Sequence, residues 1–129
     1  MNRHATTVSL AFAALLLPVA AFADAHSEIV NAATHAGLAA QGADLAAVHM
    51  HLHHTLNCLV GPSGAGFDAH EINPCANAGN GAIPDATGAA KKKALEAAAV
   101  ATRAAIADTV LAKARQDATE IAAMLKKEE

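Results

Sequence analysis

The chain has 129 residues, with 9 basic and 12 acidic side chains, a net charge of −3, and neither Trp nor Tyr. The length holds one domain, the acidic balance argues against nucleic acid as a partner, and the shortage of aromatics excludes a conventional large apolar core. Much of the 53% hydrophobic content is alanine, which buries little area per residue but is the strongest helix former, so the composition points to an all-α chain.

Residues 1–23 read as an export signal. Arg3 stands near the start, and residues 8–22 are apolar, with Leu10, Phe12, Leu15, Leu16 and Leu17. Pro18 interrupts the run, and Ala21-Phe22-Ala23 supplies the small-x-small pattern that precedes cleavage. The run is shorter than the roughly 20 residues of a membrane span, and the first cysteine, Cys58, is far too late for lipid attachment. The expected cut after Ala23 leaves a product starting at Asp24, with Phe67 as its sole aromatic. Loss of Arg3 takes the net charge from −3 to −4. No further run reaches membrane length, so the product is expected to leave the membrane for a periplasmic or secreted location that permits disulfides.

Residues 24–60 form the first helical segment. No proline occurs from 27 to 60, and Gly37 and Gly42 are its weak points. Leu38, Leu45, Leu52 and Leu59, with Val48 and Leu56 beside them, make one apolar stripe at about 100° per residue. Ile29, Ala33, Ala36, Ala40, Ala43 and Ala47 make a second, and two apolar faces imply two neighbours. Residues 61–84 form a connecting loop rich in glycine and proline, with a turn signal at Asn80-Gly81. Residues 85–129 read as a long C-terminal helix. The line Ala97, Val100, Ala104, Ala107, Leu111, Ala114, Ala118, Ile121, Leu125 alternates steps of three and four, as a coiled-coil seam does. Lys91-Lys92-Lys93 would sit badly in a first helical turn, where the dipole favours anions, so this helix is expected to start near Asp85.

The two segments, roughly 50 Å each at 1.5 Å per residue, are expected to fold as a long antiparallel helical hairpin. Two helices bury little surface and are marginal alone. The expectation is therefore either a homodimer forming a four-helix bundle through the Leu face, a complex with another helical protein, or a break at Gly37–Gly42 that lets three helices pack. Cys58 and Cys75 read as a disulfide in an exported chain, closing a loop worth about 3 kcal/mol in the chain-entropy model. The rival reading makes both thiolate metal ligands.

Four of the eight histidines lie between 49 and 54. His49 and His53, four apart, share a helix face and can grip one cation. His51 and His54 form a second pair at contact spacing on the other side, with Met50 at its edge. Imidazole suits copper and zinc, and Met50 or a free thiolate would favour copper. Zinc asks for four ligands, so His70, Asp68 or Glu71 of the loop, or a second subunit, would have to complete a site. His35 lies about 21 Å from His49 along one straight helix and within such a helix cannot join it, although in an antiparallel dimer crossing near Gly42 it could approach His49 of the other chain. Binding by neutral imidazole should weaken as pH falls through about 6.5.

A bis-His b-type haem is a less favoured cofactor, because alanine seams leave little room for a macrocycle, and a c-type haem lacks its Cys-x-x-Cys-His attachment motif. Ser27 and Ser63 sit in no nucleophile motif, and Asp68-Ala69-His70-Glu71 reads as ordinary loop polars. The sequence therefore points to a metal-binding protein for storage, delivery or tolerance rather than an enzyme. A ligand-free interaction module is the alternative.

Overall fold

The structure, a computed structural model, describes residues 24–129. The expected signal at 1–23 lies outside the described residues. Asp24 caps α1 (Ala25–Ala40), its carboxylate accepting from the His26 N–H at 3.1 Å. Asp44 caps α2 (Leu45–Val60) by accepting from the Ala47 N–H at 2.8 Å. Each aspartate satisfies a backbone donor that the first helical turn leaves open. After α2 the chain runs through turns to the short α3 (Ala82–Asp85), and then to α4 (Ala89–Ile106) and α5 (Leu111–Lys126). The two ends of the long loop meet at Gly61 (φ +67°) and Gly81 (φ +118°), where a Cβ on Gly61 would overlap the Asn80 carbonyl. Glycine is needed there for both its conformation and its size.

The described residues are all helical apart from turns and loops, with no strand among them. The four long helices form a ring in which α1 packs on α2 and α5, and α4 packs on α2 and α5. Neighbours run antiparallel, as contacts between opposite helix ends show. His26 of α1 meets the Glu129 carbonyl beyond α5, Arg115 of α5 meets Gly42 beyond α1, and His49 of α2 meets Asp108 beyond α4. Ile29, Leu52, Leu59, Leu95, Ile121 and Leu125 supply the bulk of the core. Between them the contacts are alanines, among them Ala32, Ala36, Ala98, Ala105, Ala114 and Ala118.

The expected pair of long helices is thus four. The break in the first segment falls at 41–44, past Gly37, which stays inside α1. A second break at 107–110 divides the C-terminal segment, although it holds no glycine or proline. Asp108, Thr109 and Val110 are all weak helix formers, and Val110 takes an extended conformation ahead of α5. This break also ends the expected seam. Ala114, Ala118, Ile121 and Leu125 are buried, but Ala97, Val100, Ala104 and Ala107 face solvent, and α4 instead buries Leu95, Ala98, Ala99, Thr102 and Ala105. The helix expected from Asp85 starts at Ala89, so the three lysines do fall in its opening turns. Lys91 reaches across to donate to the Glu128 carbonyl at 2.7 Å, at the negative end of α5. Val48, Leu52, Leu56 and Leu59 of the Leu face are buried inside this chain's own bundle, while Leu38 of the same stripe is exposed.

Cys58, in the last turn of α2, and Cys75, in the loop, form a disulfide with Cα atoms 5.2 Å apart. Neither sulfur is therefore a thiolate available to a metal.

Candidate metal centre

The turn at 41–44 decides what the histidines can do. A Cβ on Gly42 would lie 2.8 Å from Val48 Cγ2 and 2.9 Å from Val48 N, so only glycine lets the chain reverse this tightly. Arg115 locks the turn from α5 by donating to the Gly42 carbonyl, through Nε at 2.8 Å. In the resulting helical hairpin, residues equally distant from the turn face one another. His35 and His51 are each eight positions from Ala43, and they meet.

His35 of α1 and His51 and His54 of α2 form a group whose ligand atoms all lie within 4.8 Å of one another. His35 Nδ1 and His51 Nδ1, hydrogen-bonded to each other, are 3.3 Å apart. That matches the edge of a tetrahedral zinc site, about 3.3 Å for Zn–N bonds of about 2.0–2.1 Å. Ring centroids are separated by 5.5 Å (His35–His51), 5.0 Å (His35–His54) and 5.6 Å (His51–His54). The three rings crowd one another, two of the pairs edge-on.

Burial governs the charge state. It pushes the His35 imidazolium down to about 4, helped by repulsion from His54 and His51. Burial also lowers His54, as does repulsion from His51, with Glu71 opposing. Neutral rings with free lone pairs are what a cation requires, and His35 keeps its lone pair well below the ordinary imidazole range. His54 is only 5% exposed, yet neither of its ring nitrogens has a hydrogen-bond partner. An orphaned buried polar group is rare and calls for an ion or a water as its partner.

The loop is drawn over this face of α2 by Asn57, which is fully buried. Its Nδ2 donates to the Asp68 carbonyl at 2.9 Å and the Ile72 carbonyl at 3.2 Å, and its Oδ1 accepts from the Asp68 N–H at 2.8 Å. Two loop carboxylates are thereby set beside helix histidines. Asp68 Oδ2 is 3.4 Å from His53 Nδ1, and Glu71 Oε2 is 3.5 Å from His54 Nε2. Neither contact makes a hydrogen bond, so His53 Nδ1 and both ring nitrogens of His54 stay unpartnered.

Of the residues singled out from sequence, His51 and His54 are in the group and the others lie elsewhere. His49 Nε2 is 3.0 Å from the Asp108 carbonyl, holding the turn between α4 and α5. His53 faces Asp68, Met50 is 38% exposed, and His70 is exposed on the loop. His35 is the residue that straight-helix reasoning set aside. The signal for it was present, since Gly42-Ala43-Asp44 pairs a tight-turn residue with an N-cap, and counting outward from that turn brings His35 opposite His51. A cleft of about 610 Å³ between α4 and the loop includes Val60, Ile83, Lys92, Glu96 and Arg103 in its walls and none of these histidines.

No family model, curated protein or solved structure matches the chain.

Proposed function

We propose that the chain is an exported helical-bundle protein that binds one divalent transition-metal ion, Zn(II) or Cu(II), through His35, His51 and His54. Its role would be storage, delivery or tolerance, and binding rather than catalysis. The observation that carries this reading is the convergence of three imidazoles from two helices, one of them buried with both nitrogens unsatisfied. The donor set narrows the metal. With Cys58 in a disulfide and Met50 turned outward, the site offers three imidazole nitrogens and no sulfur, which disfavours Cu(I) and suits borderline divalent ions. Three mutually touching rings also leave no plane between them for a macrocycle, so haem is the weaker alternative.

Export is supported by the signal-like pattern at 1–23 and by the disulfide, which persists in oxidising compartments. No helix among the described residues is long and apolar enough to cross a membrane. Association with a second copy or another helical partner would use a surface other than the buried part of the Leu face, and sedimentation of the metal-free and metal-loaded protein tests it.

The decisive comparison is a competition titration against a chromogenic chelator. The unsubstituted protein should take up one equivalent of Zn(II) or Cu(II). His35→Ala/His51→Ala/His54→Ala should lose that binding, and His49→Ala/His53→Ala should keep it. Equal affinity in the triple variant and the unsubstituted protein rejects the site.

A further inference from the structure

The three imidazoles need a defined tautomer as well as a position. A ring that ligates through one nitrogen carries its proton on the other, and the group that accepts that proton selects the ligating nitrogen. In this chain the candidate acceptor is on the loop. Glu71 Oε2 faces His54 Nε2 at 3.5 Å, while His35 and His51 turn their Nδ1 atoms to each other at 3.3 Å.

Resting on the metal-binding reading above, we propose that Glu71 is the positioning residue of the site: its carboxylate accepts the Nε2–H of His54 and so fixes the tautomer that presents Nδ1 to the ion. All three histidines then offer the same nitrogen. Contraction of the Glu71–His54 contact by roughly 0.5 Å brings it to ordinary hydrogen-bond length, and the carboxylate raises the basicity of the ligand it holds. Three features keep Glu71 in place. Asn57 grips the backbone on either side of it, at Asp68 and Ile72. The disulfide anchors Cys75 four residues later. The helix beneath carries His53 and His54 in succession, and each has its own loop acid, Asp68 and Glu71. The long loop is therefore a working part of the site, because it delivers the group that orients the most deeply buried ligand.

The test uses the disulfide-intact protein and Zn(II) alone as the probe. Glu71→Ala should weaken zinc binding by about 10- to 100-fold, the usual effect of losing such a partner. Glu71→Gln should bind more tightly than Glu71→Ala, since its amide oxygen still accepts from Nε2–H. Nitrogen-15 NMR of the zinc-loaded protein should show His54 protonated at Nε2 and ligated at Nδ1, a readout that a purely structural role for Glu71 would not produce. If Glu71→Ala fails to fold, the Gln variant and the NMR tautomer decide. Affinity within twofold of the unsubstituted protein in the Ala variant, or His54 ligated through Nε2, overturns the role of Glu71 and leaves the metal site standing. Unchanged binding in His35→Ala instead overturns the metal reading itself.

Discussion

Glu28 lies in the first turns of α1 with no exposed surface. Its Oε1 accepts from the Gly81 N–H at 2.7 Å, while Oε2 has no partner. Burial pushes its carboxyl up to about 7, the Gly81 N–H opposes this, and repulsion from Asp85 and Asp24 adds to it. A carboxyl raised in the folded state binds more protons folded than unfolded between about 4.5 and 7. Its stabilising contribution is thus complete at low pH and is lost as pH rises through about 7. His35 has the opposite sign. Held down to about 4, it is less protonated folded than unfolded, so stability is lost as pH falls from about 6.5 toward 4. The two trends oppose each other in the unsubstituted protein, and substitution separates them. Glu28→Gln keeps the acceptor for Gly81 but removes the titration. Its melting temperature relative to the unsubstituted protein, in chelator, should rise from pH 5 to about pH 7 and level off toward pH 8. A difference independent of pH would show that Glu28 is not the titrating group.

At the scale of elements, the proposed metal binding depends on two connections. The turn at 41–44 sets His35 against His51, and the bridged loop sets Glu71 against His54. The bridge spans 17 residues, which corresponds to about 3 kcal/mol of lost chain entropy in the unfolded state. Cys58→Ala/Cys75→Ala should lower the unfolding free energy by about that amount and also weaken zinc binding, because Glu71 is then held only through Asn57. Urea unfolding of the double variant measures the first effect and chelator competition the second. A loss of stability with unchanged zinc affinity would mean that the Asn57 clamp alone fixes the loop end.

At the scale of the molecule, the all-α class and the disulfide could be read from sequence, because alanine content and cysteine count are insensitive to register. The helix ends could not. A run from 89 to 127 without glycine or proline hides the break at Asp108-Thr109-Val110, which tertiary packing imposes on residues only mildly averse to helix. Half of the expected seam therefore points to solvent. The site was legible as a histidine-rich stretch but not as a set of ligands. His51 and His54 follow from spacing along α2, whereas His35 requires knowing that the chain reverses at Gly42. An HxxxH pair is conspicuous in a sequence, but His49 meets the Asp108 carbonyl and His53 faces Asp68 with Nδ1 still unpartnered, an arrangement set by the folded ring of helices.

Zinc K-edge absorption on the protein loaded with one equivalent tests the central claim most directly. The arrangement of His35, His51 and His54 predicts a four-coordinate shell of nitrogen and oxygen at about 2.0–2.1 Å, with the multiple-scattering signature of three imidazoles and no sulfur. A shell with fewer imidazoles, or with oxygen alone, would contradict it.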